Sequence, residues 1–383
     1  MTTTHAERGS RGWLRLLGVS LAGLAILLLV FAFATLSADA REAAARGTGE
    51  EVAWAFDVGA YLGAASRVAD TGSPYDAALT SAQFSSGPKD LYYYSPVLAV
   101  ALLPVEGWPE ETAVAWWYWL HVVALIATCA LMPISGTLRL LAFGVGAFSL
   151  ATLSDIVMGN VNMPLLLLMV LAWRWLDGPL GSVGLAIGVA LRPSLGLLLI
   201  WQLLRRAWRA VAWTIGAGLA LILATLPFVG VDGYLDYLAV MRNMELPTNA
   251  EAPPGGWQNL DLGEAVRLLG AGDSVVTIAR IASLAAGLGA MVVSLRRRPE
   301  VGFMVTLMAS FLVVPLLWDH YLAMTLLPAA FLAQHWHRAA IALPLLSWLP
   351  LAAPLLLMGT IVLLFLVPDE SETRAVVSAE ASA

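Results

Sequence analysis

Asp57 lies in the stretch Trp54-Ala55-Phe56-Asp57-Val58-Gly59-Ala60-Tyr61, just past the first long apolar run, and is the first side chain in this sequence placed where it could do chemistry. The polar stretch it heads, residues 37–94, also carries Tyr61, Gly72-Ser73-Pro74-Tyr75-Asp76 and Lys89-Asp90-Leu91-Tyr92-Tyr93-Tyr94-Ser95-Pro96. A carboxylate there can take a proton from a hydroxyl or cap the helix it begins, and both readings stay open at the level of the residue. Lys89, the only lysine, could meet an anionic headgroup or a phosphate, or be an ordinary loop charge. Farther along, Asn160, Asn162, Arg192, Gln258, Asn259, Trp318, Asp319 and His320 add amides, a guanidinium and an acid beside an imidazole. Ionisable groups near hydrocarbon cost a few kcal/mol to insert and tend to be paired or functional, which singles out Arg192 and Asp319-His320. There is no P-loop, HExxH, GxSxG or zinc-like Cys–His spacing, and Asp57 with Asp319-His320 gives too few ligands for a metal site. No metal or other cofactor is expected.

The elements that must position these groups are membrane helices. The chain is 59% hydrophobic and only 13% charged, with a mean hydropathy of +0.78, against roughly 25% charged residues in ordinary soluble domains. Apolar runs recur to Val367 with two polar interruptions, residues 37–94 and 231–273, so residues 1–367 read as a single membrane-embedded domain and 368–383 as a disordered cytoplasmic tail. The net charge of −6 and the scattered arginines exclude a nucleic-acid stripe. Cys129 is alone and inside an apolar run, so no disulfide forms within the chain.

Residues 13–36 are long enough to cross roughly 30 Å of hydrocarbon, and Arg8, Arg11 and Arg15 before them set the N-terminus in the cytoplasm. A cleaved signal peptide is the competing reading, but the run exceeds the usual apolar core of about 7–15 residues. Arg205, Arg206, Arg209 and Arg296–Arg298 are the other basic marks, which places both polar interruptions outside. An odd number of crossings must then join residue 94 to Arg205. Either 96–104 crosses, or 181–204 breaks at Arg192-Pro193; the break is preferred because proline removes a backbone donor and disfavours helix in the residue before it. That choice puts Arg139 and Arg174 inside, and Asp155, Asn160, Asn162 and Arg192 outside. Residues 57–69 read as an amphipathic helix on the membrane surface, with Val58, Leu62, Ala65 and Val68 on one side. His121, in a tryptophan-rich run, reads as part of an interfacial aromatic belt. The expected fold is all-α: a polytopic helical bundle of about 11–12 crossings by hydropathy and length, with surface helices in a long first outer loop.

Taken in order, Phe56-Asp57-Val58 through Tyr61, Gly72-Ser73-Pro74-Tyr75-Asp76, Tyr94-Ser95-Pro96, Gly159-Asn160-Val161-Asn162, Leu191-Arg192-Pro193, Trp257-Gln258-Asn259 and Trp318-Asp319-His320 resemble glycosyltransferase family 87, mannosyltransferase-like membrane enzymes of the GT-C superfamily. The likeness spans residues 13–366. The family often shows Gly-Gln-x-Asn where this chain has Gly159-Asn160-Val161-Asn162, and Lys-Pro in place of Arg192-Pro193, where arginine keeps the charge. The resemblance implies a polyprenyl-phosphate sugar donor, a first-loop aspartate as base and no nucleotide-sugar site. On that reading Asp57 is the base and Arg192, His320 and Lys89 hold the donor phosphate. Tyr61, Tyr75, Tyr94, Asn160, Asn162, Gln258, Asn259, Trp318 and Asp319 would contact sugar or acceptor. The expected partners are the donor, a membrane lipid or glycan acceptor and the bilayer, at the outer face of the plasma membrane. A transporter or flippase is the main rival, though no internal repeat is visible. A non-catalytic scaffold is the other, and it would not need Asp57, Arg192 and His320 to converge.

Overall fold

The structure, a computed structural model, describes residues 5–46, 55–85, 91–245, 259–349 and 352–368. Helix α1 (His5–Arg46) carries the first apolar run. Its side chains Leu16 and Phe31 are 71% and 66% exposed, as a face turned to lipid requires. The first polar stretch folds into α2 (Phe56–Thr71) and α3 (Ala77–Ser81), and α4 (Pro96–Leu102) follows it. Then come α5 (Glu110–Leu131), the bent pair α6 (Gly136–Phe148) and α7 (Leu150–Met158), and α8 (Asn162–Arg174).

The break expected at Arg192-Pro193 is present: α9 (Pro179–Leu191) stops at Arg192 in extended conformation, a 3-10 turn follows, and α10 (Gly196–Leu204) runs on to the arginines. By contrast, α4 is seven residues long and does not cross. Helix α11 (Trp208–Asn243) is followed by α12 (Leu262–Leu268), α13 (Asp273–Ser294) and α14 (Pro299–Leu312). Past a 3-10 helix (Asp319–Thr325), α15 (Leu326–His335) leads to a second 3-10 helix (Arg338–Trp348) and α16 (Ala353–Phe365), so residues 339–367 are broken in two.

The all-α polytopic bundle is as expected. Among the described residues, four helices are long and apolar enough to span by themselves, or five with the α6–α7 pair, which bends by 60°. Helices α8, α9, α10, α14 and α16 are apolar but shorter, so the expected 11–12 crossings are not all full-length spans. Hydropathy counts apolar runs and is blind to helices cut short by internal breaks.

Arg139, Arg174 and Arg205 mark one end. Arg139 donates to the Met132 carbonyl (3.0 Å), Arg174 to that of Leu131 (2.8 Å), and Arg205 pairs with Asp177. The two polar interruptions meet at the other end. Ser73 donates to Asp236 (2.8 Å), Asn243 donates to the Leu79 and Thr80 carbonyls (3.2 and 2.9 Å), and Phe84 and Ser85 pair in parallel with Met244 and Glu245.

Two expectations are corrected. Residues 231–243, read as loop, are helical: α11 kinks at Gly230 (φ 60°, ψ −172°) and continues to Asn243 with Tyr237 stacked on Tyr75. Their polar residues face the first loop and end the hydropathy signal without ending the helix. Helix α2 is amphipathic as expected, but its buried face, which holds Val58, Tyr61, Ala64, Ala65 and Val68, packs against protein and not the membrane surface; Leu62 is only half-buried. The expected disordered tail, from 369 onward, lies outside the described residues.

Candidate active site

Asp57 begins α2 but does not cap it. The residue before the helix is Ala55, in left-handed conformation (φ 62°), with no side-chain cap bond at this helix start. The carboxylate Oδ2 instead accepts from Asn160 Nδ2, across a tight junction between α2 and the end of α7. The junction exists because α7 ends on Gly159 at φ 71°, where a Cβ would lie 2.5 Å from Val58 Cγ2 and 3.2 Å from Ala55 Cα. Only glycine combines that left-handed turn with so close an approach. The Ala55 N–H donates to the Val157 carbonyl (2.6 Å) and Trp117 Nε1 to the Gly159 carbonyl (2.7 Å), closing the turn from both sides.

Asn160 is the hub. Its amide N–H groups reach Asp57 and the Tyr94 hydroxyl (2.9 Å), while its Oδ1 accepts from Val161 N (2.8 Å) and Asn162 Nδ2 (2.9 Å). Tyr94 in turn packs edge-on against Tyr61 (5.1 Å between ring centroids), and its carbonyl accepts from the Tyr75 hydroxyl (2.7 Å). Burial pushes the Tyr94 phenol up from its ordinary value, so it stays a neutral O–H.

The cations arrive from two other breaks. Arg192, at the α9–α10 break, is buried with its guanidinium 3.4 Å over the Tyr321 ring, and its Nη1 has no partner. His320 opens the 3-10 helix after α14; its Nδ1 is 3.2 Å from Asp319 Oδ1, and its buried Nε2 has no partner either. Both act on Asp57. Burial pushes that carboxyl up from the usual carboxylate range and the nearby Asp155 adds to this, whereas His320, the Asn160 bond and Arg192 pull it down. For Asp319 the balance tips the other way: burial would raise its carboxyl, but the bond and charge of His320 hold it low. A half-buried carboxylate inclined to take up a proton thus shares its surroundings with a buried guanidinium N–H and a buried imidazole nitrogen, neither with a partner. That arrangement can accept a proton at one point and hold an anion at another.

Asp57, Tyr61, Tyr94, Asn160, Arg192, Asp319 and His320 are therefore brought together. Others expected to touch substrate sit behind them. Asn162 is fully buried and its amide N–H groups are engaged by Asp155 (2.8 Å) and Asn160, so its place is one of support. Tyr75 is buried under Tyr94. Asn259 donates to the Pro315 carbonyl (2.9 Å) and accepts from Leu317 N (3.0 Å), tying the second loop to the buried segment that ends in Trp318. Lys89 and Gln258 lie outside the described residues.

Two groups were missed as site residues. His121, read as an interfacial belt residue, is fully buried: Nδ1 is 2.8 Å from the Trp117 carbonyl, and Nε2 meets the Asn160 carbonyl and stands 3.4 Å from Asp155 Oδ2. The tryptophans around it gave the interface signal. Asp155, expected outside but given no role, is fully buried beside His121; a carboxylate in an apolar run was the available cue.

The family model for glycosyltransferase family 87 matches residues 92–318, more than half of the chain. That segment contains Tyr94, Asn160, Asn162, Arg192, Asn259 and Trp318, and the fold brings Asp57, Asp319 and His320 to it from just outside. No curated protein and no solved structure matches the chain. With the family's segment laid over this bundle and its buried cluster, the chain belongs to glycosyltransferase family 87 and is a membrane glycosyltransferase.

Proposed function

We propose that the protein transfers a hexose, mannose being the expected one, from a polyprenyl-phosphate sugar to a hydroxyl of a membrane lipid or glycan on the outer face of the plasma membrane. The observation that carries this reading is the pair of buried, unpartnered nitrogens, Arg192 Nη1 and His320 Nε2, beside the same carboxylate, Asp57. In one displacement the acceptor oxygen bonds to the anomeric carbon as the bond from that carbon to the phosphate oxygen breaks. The acceptor proton passes to Asp57, and the electron pair leaves with the phosphate. Negative charge grows on the leaving group, where Arg192 and His320 would meet it, and a single displacement inverts the anomeric centre. A lipid-linked donor suits a site at the end of a bundle, because its chain can stay in the bilayer.

The test is transfer by purified protein in detergent or nanodiscs. Polyprenyl-phosphate mannose with an acceptor lipid extract is expected to give a glycosylated product, and nucleotide sugars none. Transfer from a nucleotide sugar without any lipid-linked intermediate would overturn the donor assignment.

A further inference from the structure

Behind Asn160 lies a charged pair to which the proposed reaction gives no role. His121 comes from the middle of α5 and Asp155 from α7, and both are fully buried. Each ring nitrogen of His121 meets a carbonyl oxygen, that of Trp117 or of Asn160. Carbonyl oxygens only accept, so the arrangement is that of an imidazolium, and Asp155 is its counter-ion at 3.4 Å. Two ions buried for packing alone are a poor arrangement, since apolar side chains of similar volume stabilise as well or better.

The pair grips Asn160 at two points. His121 holds its backbone carbonyl. Asp155 Oδ1 accepts from Asn162 Nδ2 (2.8 Å) and Asn162 N (3.3 Å), and Oδ2 from Met163 N (2.9 Å), which fixes Asn162 at the head of α8. Asn162 then donates its other amide hydrogen to Asn160 Oδ1 (2.9 Å). With that oxygen receiving donors from Asn162 and Val161, the Asn160 side chain cannot flip, and its N–H groups must point to Asp57 and Tyr94.

We propose that His121 and Asp155 form a positioning pair for glycosyl transfer, holding Asn160 so that its amide N–H fixes the Asp57 carboxylate at Oδ2. This rests on the reading of Asp57 as the base. Both His121 and Asp155 act through Asn160, and Asp155 also acts on Asp57 directly through its charge. The role differs from that of a structural ion pair in what it limits, which is turnover by molecules that are already folded.

The test compares Asp155→Asn, His121→Gln and Asn160→Ala, singly and as the doubles with Asn160→Ala, for kcat, donor KM and thermal unfolding of the folded fraction. A misplacement of the reacting groups by about 1 Å can cost on the order of 100-fold, so kcat of each single variant is expected to fall by about that factor with donor KM unchanged. In the Asn160→Ala background, at a pH above the acid limb, the second change is expected to lower kcat no further, because the pair's target is gone. His121→Gln keeps one donor and carries the test should Asp155→Asn fold poorly. Wild-type kcat per folded molecule in the singles, or losses that multiply in the doubles, would overturn the proposal. Asp57→Asn, run alongside, separates the two failures: if it turns over normally the base reading is lost, and if it is dead while the pair variants are normal, only the positioning role is.

Discussion

Asp57 takes its properties from what surrounds it. Burial raises its carboxyl, and the opposing charges of His320 and Arg192 with the Asn160 bond hold the rise in check. An Asp57 acting as base must be ionised, so transfer is expected to rise with pH through its titration and to lose rate as pH falls through the same point. The acid limb of the kcat/KM profile should therefore lie above the range of an ordinary carboxylate, and in Asn160→Ala, where a bond that lowers it is gone, it should move higher still. A limb at an ordinary carboxylate position, unmoved in Asn160→Ala, would count against Asp57 as the titrating group. Much of this residue set was legible from the order of short motifs, which placed Asp57, Tyr94, Asn160, Arg192 and His320 together. The pairing of His121 with Asp155 was not, because the two meet only when α5 packs across the end of α7, and the neighbouring tryptophans mimic an interfacial belt.

Elements deliver these side chains through their breaks. Asn160 follows a glycine turn, Arg192 sits between two short helices, and His320 lies in the first turn of a 3-10 helix after non-helical residues 313–318. Irregular backbone at this depth is tolerable where it is enclosed by protein or lines a cavity. The break at Arg192-Pro193 could be foreseen because proline supplies a local cause and the count of crossings required one. The extension of α11 through residues 231–243 could not, since its Asp232, Tyr234, Asp236, Arg242 and Asn243 end the apolar run without ending the helix. The turn at Gly159 makes the sharpest demand on a single residue. Gly159→Ala would force a left-handed alanine, a strain of about 1–2 kcal/mol, and would drive Val58 away. A lower apparent melting temperature together with reduced transfer is expected. Wild-type values for both would mean that the α2–α7 junction does not set the position of Asp57.

At the scale of the whole molecule, Arg139, Arg174 and Arg205 mark one end, and the polar interruptions with the cluster, Arg192 included, the other. Composition was enough for the all-α membrane class, and arginine placement for which groups share an end. The lengths of the individual passes were hidden, because internal breaks do not register in an apolar run. The bundle's central claim is a division of labour within that cluster: Asp57 takes the proton and Arg192 with His320 holds the phosphate. The most direct test measures turnover and donor binding separately in Asp57→Asn, Arg192→Ala and His320→Ala. Asp57→Asn is expected to abolish transfer while binding polyprenyl-phosphate mannose nearly as the wild type does, since the amide keeps the shape but cannot take the proton. Arg192→Ala and His320→Ala are expected to weaken donor binding by about 1.5–3 kcal/mol each, the usual cost of a lost charged hydrogen bond. Near-normal turnover in Asp57→Asn would contradict the account, leaving Asp57 a buried carboxylate without a catalytic part.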